Sequence, residues 1–256
     1  MMRTDEGVVL GVTSVDDELF ALLERYEDQV AVYSTNDYKL LRHLEVLGYE
    51  PRYTSDMTSC VRRKCLYMSD NRNRCIHRYA LASTAKSRLP LSFSPFSLSV
   101  TPNGNLLVAC NNPKQLVELS AESGKQVREI SLQDDIEHLW HGVQLASGQF
   151  VVCRGHRSSL YRVCMVDDDG KVKHRFGGKK GYGRLNLPCH LAVDEDSQLI
   201  FVADQLNDRV VLLSPTLEFV RYISEGVYQP FRLHLDQTAR RLYVANIYGG
   251  VTVIQL

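Results

Sequence analysis

Neither sign of charge is in surplus: thirty Lys and Arg face thirty Asp and Glu, for a formal net charge of zero. That excludes a chain drawn by its overall field to nucleic acid, membranes or acidic partners, and leaves such affinities to local patches. Long hydrophobic runs are missing too. No stretch approaches the ~18 apolar residues of a membrane helix, and the opening MMRTDEGVVLGV lacks a basic segment followed by a long apolar one. A cytoplasmic, monomeric protein without a membrane partner is therefore expected. The seven cysteines are an odd number and sit in strand-like runs such as VVC at 151–153 and RVC at 162–164. Buried free thiols are expected rather than a disulfide framework.

What is present is a large apolar fraction, 44% of 256 residues, enough for one big β domain or two small ones. FVADQLNDRVVLL at 201–213 echoes YMSDNRNRCIHRY at 67–79, and self-similarity at 20–50 residues signals stacked units. Aligning the apolar residue that opens the second run of each unit gives Val30, Ile76, Leu116, Leu160, Val210 and Val251, spaced by 46, 40, 44, 50 and 41 residues. Within a unit, four short alternating runs are separated by turn residues, the pattern of half-buried strands. The fifth unit reads LAVD, LIFVAD, RVVLL and FVRYI; the third carries a Pro-Asn-Gly turn at 102–104 suited to a hairpin. Residues 14–29 contain helix formers and a capping-box pattern, but the repeat register assigns them to strands.

Six four-stranded antiparallel units predict an all-β, six-bladed β-propeller, which hides its sheet edges by radial repetition. The expected blades cover approximately 7–46, 53–93, 95–132, 139–178, 187–224 and 229–256 of a single domain. The last unit has only three runs, so residues 2–7 are expected beside Val251 to Gln255, or the blade is three-stranded.

The segment HRFGGKKGYGRLNLPCHLAVDEDSQLIFVADQLNDRVVLL at 174–213 resembles an NHL repeat, with a glycine-rich loop, a proline-led strand, and VAD followed by Asn207 and Arg209. Unit two keeps Asp70 and Asn73 but has Cys75 in place of Arg209; the other units carry Glu24, Cys110, Arg154 and Asn246 at the aspartate position. The resemblance implies a propeller like the C-terminal recognition module of tripartite-motif/NHL proteins, one face of which binds protein or RNA. No RING or B-box spacing accompanies it.

The recurrent Asp and Asn suit turn building: a carboxylate accepts turn N–H groups, and Asn tolerates left-handed backbone. GGKKGYGRL at 177–185 has neither Walker nor dinucleotide spacing, and DDDG at 167–170 lacks the alternation of a calcium loop; both read as loops. Resemblance to propeller lyases and lactonases would put histidines at the channel mouth, where His141 and His190 fall. In the repeat alignment Trp140 occupies the proline position, so the two side chains are expected to point differently, with Ser97 and Arg232 at the equivalent starts. No metal site is expected there, nor from Cys60, Cys65, Cys75 and His77, which lack a CxxC knuckle.

In a propeller the interblade loops and the loops between second and third strands share one face. There the sequence pools Arg72, Arg74, Lys114, Arg154, His156, Arg157, Lys179, Lys180 and Arg184 with Tyr182, Tyr228 and Tyr248, interrupted by Asp134, Asp135 and Glu137. Arginine and tyrosine anchor protein interfaces; cations and aromatics also serve RNA phosphates and bases. The expectation is a non-catalytic module, not an enzyme, that uses these residues to bind a protein partner, as the substrate-recognition part of a ubiquitin-ligase-like protein. RNA binding by the basic face and a metal-dependent propeller enzyme are the alternatives. No cofactor is expected.

Overall fold

The computed structural model describes the chain apart from residues 1, 4–6, 26–28, 47, 53, 134–135, 137, 156–159 and 179–182, and the side chains of Met2 and Arg3. The described residues form six four-stranded antiparallel sheets, and the innermost strands neighbour one another in a closed ring. This is the six-bladed propeller anticipated from the repeats. The Pro-Asn-Gly turn lies where expected: the Gly104 N–H donates to the Thr101 carbonyl at 2.8 Å, with Gly104 at φ +77°.

The helix-like stretch is strand. Glu18–Leu23 and Val30–Ser34 are neighbours in blade one. Successive side chains of Glu18–Leu23 serve different cores: Phe20 and Leu22 pack in one cluster, Leu19, Ala21 and Leu23 in another. A strand feeds both faces of its sheet, and burial on each side outweighs the helical preference of Glu and Leu. The other cores likewise lie between blades: two with three, three with four, four with five. In blade four the third strand is Arg162–Val166, with Cys153 facing Val163. Val163, not Leu160, is thus the repeat equivalent, because the preceding loop is longer.

Blade six closes with Met2–Arg3, whose backbone pairs Met2 with Val251 and Arg3 with Gly250. This joins Pro230–Asp236, Arg241–Asn246 and Gly250–Gln255 as the outermost strand. All seven cysteines are buried and free. No helix among the described residues is long and apolar enough to cross a membrane.

Candidate active centre on the propeller axis

Four of the six innermost strands, those of blades one, four, five and six, carry a bulge near their start. Pro188 pairs with Asp204 and His190 with Ala203; Leu139 pairs with Arg154 and His141 with Cys153. The same step takes Pro230 and Arg232 to Asn246 and Ala245, and Val9 and Gly11 to Leu23 and Leu22. Each bulge absorbs one residue and aims the next toward the axis. Ser97 occupies this level in blade three, facing Ala109. In blade two the level belongs to Asp56, whose N–H donates to Ser69 Oγ at 2.9 Å while its carbonyl accepts the Ser69 N–H at 3.0 Å. Each blade therefore contributes one residue: Gly11, Asp56, Ser97, His141, His190 and Arg232. The expectation that the histidines diverge is corrected, because Leu139 rather than Trp140 stands at the proline position. Their rings lie 3.7 Å apart between centroids at 34°.

Asp56 is fully buried. Its Oδ1 accepts the Met57 N–H and its Oδ2 the Leu98 N–H, both at 2.9 Å. Arg232 Nε lies 3.2 Å from Oδ1 and also donates to the Leu10 carbonyl at 2.7 Å, while Nη2 donates to the Ser55 carbonyl at 3.0 Å. Burial alone would raise the Asp56 carboxyl; the Arg232 guanidinium, helped by His190 and His141, overcomes this and holds it well below the usual carboxylate range. Asp56 and Arg232 thus form a neutral ion pair.

Burial lowers the pKa of both histidines, reinforced at His141 by its neighbour His190 and opposed at His190 by Asp56. Both are neutral at neutral pH, and their backbone partners assign opposite tautomers. His141 Nε2 lies 3.1 Å from the Leu98 carbonyl and donates to it, which leaves a lone pair on Nδ1. His190 Nδ1 accepts the Leu233 N–H at 3.3 Å, which puts the proton on Nε2. Among the described residues His141 Nδ1 and Ser97 Oγ are buried without a hydrogen-bond partner, and His190 Nε2 faces the Asp56 carboxylate, 3.6 Å from Oδ1, without reaching hydrogen-bond length. A free base, an N–H held only at long range by Asp56 and a hydroxyl thus share one polar level, an arrangement suited to acid–base chemistry.

Asp56, His141 and His190 are also metal-ligating types, with one ligand-capable atom of each within 4.8 Å of the others. The donor set fits a cation poorly. Arg232 already neutralises the carboxylate, and the tautomer of His190 points N–H, not a lone pair, at the shared space. The second such group, Asp70, Cys75 and His77, has a structural role. In blade five Arg209 Nε donates to Asp204 Oδ2 at 2.8 Å, alongside Asn207. Blade two has Cys75 where Arg209 stands, and His77 takes over, with Nε2 3.0 Å from Asp70 Oδ2. Burial pushes the Cys75 thiol up to about 11, so it is no ready thiolate ligand.

Of the residues expected to bind a partner, the structure describes Arg72, Arg74, Lys114, Arg154, Arg184, Tyr228 and Tyr248. Arg72 pairs with Glu50 at 3.3 Å, and Arg74 and Arg184 are exposed. Lys114 begins the strand Lys114–Leu119. Tyr228 and Tyr248, 50% and 64% exposed, stack at 5.6 Å. Arg154 is corrected: only 5% exposed, it is part of the blade-four interior and not a surface cation. His156, Arg157, Lys179, Lys180 and Tyr182, like Asp134, Asp135 and Glu137, lie outside the described residues. Asp56 was missed in the sequence. The signal was available, since the six axial residues are spaced by 45, 41, 44, 49 and 42 residues, the period of the blades.

No protein-family model and no curated protein sequence matches the chain. Among solved structures it resembles hydrazine synthase from Kuenenia stuttgartiensis, at 13% identity and a TM-score of 0.69 over 100% of this chain and 97% of that one. It also resembles a streptogramin B lyase, at 11% identity and 0.67 over 100% and 85%. A catalytically inactive His-to-Ala virginiamycin B lyase from Staphylococcus aureus with quinupristin matches at 10% identity and 0.66, over 98% and 86%. At such identities the likeness is one of fold. These neighbours are enzymes, and this corrects the expectation that the propeller is not one. The NHL assignment stays a resemblance of residues 174–213.

Proposed function

We propose that the chain is an acid–base enzyme of lyase type, with its reaction centre at the axial level of His141 and His190. The observation that carries this reading is the pair of backbone contacts that assigns the two rings opposite tautomers, which leaves a buried basic nitrogen on His141 without a partner among the described residues and a buried N–H on His190 that only Asp56 faces, at 3.6 Å. His141 Nδ1 takes a proton from the carbon next to a carbonyl, and the developing oxyanion accepts the His190 Nε2–H. A neutral imidazole acts there as hydrogen-bond donor rather than proton donor. The C–H electrons form the C=C bond as the β C–O bond breaks, and His141 returns its proton to the departing carboxylate. No water is consumed. Asp56 and Arg232 cancel each other's charge, so the centre suits an uncharged ester or lactone group.

Mass spectrometry of lactones and cyclic depsipeptides, quinupristin among them, tests this. The expected result is a ring-opened product of unchanged mass, formed about 10²–10⁴-fold more slowly by His141→Gln, which keeps the donor to Leu98 but has no basic nitrogen. A product that has gained one water, undiminished turnover in the variant, or no opening of any substrate overturns the lyase reading. The exposed Tyr228–Tyr248 stack favours a second reading, in which the loop face with Arg72, Arg74 and Arg184 holds a protein partner.

A further inference from the structure

Away from the axis, a groove of about 260 Å³ lies on the loop face between blades two and three. Arg74 from the loop between the second and third strands of blade two, Ser92, Phe93, Ser94 and Phe96 from the interblade loop, and Asn112 from blade three line it. The volume is below the ~300–1,000 Å³ of drug-sized pockets, which limits the occupant to a group about the size of one amino-acid residue.

The lining is rich in unused donors. Arg72, two residues away, is paired with Glu50, whereas the exposed Arg74 side chain makes no ion pair or hydrogen bond among the described residues. Its backbone is fixed, since the Arg74 carbonyl accepts the Leu91 N–H at 2.8 Å. The side chains of Ser92, Ser94 and Asn112 are likewise without partners among the described residues. Asn111, by contrast, spends both ends of its amide on the Leu139 backbone, at 2.9 and 2.7 Å, and so is structural. Among the described residues no carboxylate lines the groove. One cation, two hydroxyls and an amide call for an anion, and a single guanidinium matches one negative charge in a planar fork. Phe93 and Phe96 add an apolar wall beside it; Phe96 is braced edge-on by Trp140 at 5.5 Å.

We propose that this groove binds a free carboxylate attached to an apolar group of single-residue size. Arg74 forks onto the carboxylate, the hydroxyls and Asn112 complete its coordination, and Phe93 and Phe96 pack against the apolar part. The site is independent of the axial centre.

Two-dimensional amide NMR of the full chain tests it, with N-acetylphenylalanine as the probe and its primary amide and phenyl phosphate as comparators. The acid is expected to shift the Arg74, Phe96 and Asn112 signals saturably, the amide to bind at least about tenfold more weakly, and phenyl phosphate to bind more weakly than the acid. Arg74→Gln should abolish the preference for acid over amide without changing the melting temperature. Absence of a saturable shift up to about 10 mM, equal binding of acid and amide, or a preference surviving in Arg74→Gln overturns the proposal. Tighter binding of phenyl phosphate does so too, and would assign the groove to phosphate groups.

Discussion

A carboxylate without solvent-exposed surface stays ionised beside two neutral imidazoles because Arg232 lies 3.2 Å from Asp56 and two peptide N–H groups point at its oxygens. The partners are not interchangeable in their consequences. Replacing Arg232 with Met leaves a buried charge uncompensated, which costs about 3–5 kcal/mol. The carboxyl then relieves itself by taking up a proton, so the loss should shrink as pH falls. Combining Arg232→Met with Asp56→Asn should cost clearly less than the sum of the two single changes, because the second change removes the orphaned charge. Urea denaturation of the four proteins measures this, and strict additivity would show that the two groups are not coupled.

At the scale of the element, the bulge that opens four of the innermost strands places both histidines and Arg232. Gly11 marks its tightest point: a Cβ there would lie 2.7 Å from Met57 Cβ and 2.9 Å from the Met57 backbone nitrogen. Gly11→Ala should therefore destabilise by about 1–3 kcal/mol by overpacking, while Gly148→Ala, which meets nothing, is limited to the penalty of its positive φ; thermal melts compare them. The strands themselves were legible, since alternation and turn residues act locally and recur with each blade. The bulge was not. One absorbed residue shifts every later side chain in the strand, so a gap-free repeat alignment put Trp140 in the place of Leu139 and turned His141 away from His190. Asp56 escaped for a related reason, as it precedes Met57–Cys60 and lacks the proline-led phrase of the fifth and sixth blades. Burial of Arg154 was equally hidden, because a pooled loop face counts charges without knowing which side chains turn inward.

Across the whole molecule, buried neutral histidines set the response to acid. His234 hydrogen-bonds Ser14 Oγ at 2.9 Å, with Thr13, Tyr243 and Asp236 around it. Burial lowers its pKa to about 4, against the opposing pull of Asp236, and His141 and His190 are lowered as well. The unfolded chain, with ordinary histidines near 6.5, takes up protons first as pH falls. Stability from these groups is therefore complete above about pH 6.5 and is lost progressively toward pH 4. The melting temperature should fall between pH 7 and 5, above the range where carboxylates titrate, and fall less in His234→Gln; a flat profile over that interval would contradict the neutral assignment. Closure of the wheel has its own thermodynamics. Met2–Arg3 meets Gly250 and Val251 across nearly the entire chain, and joining ends so far apart costs about 5 kcal/mol of chain entropy by the logarithmic loop law, apart from a constant. Among the described residues two residue pairs hold this junction on the outer edge of blade six. That makes it the seam at which the ring opens at least expense, a local unfolding that frees the edge of Gly250–Gln255 while five complete blades persist.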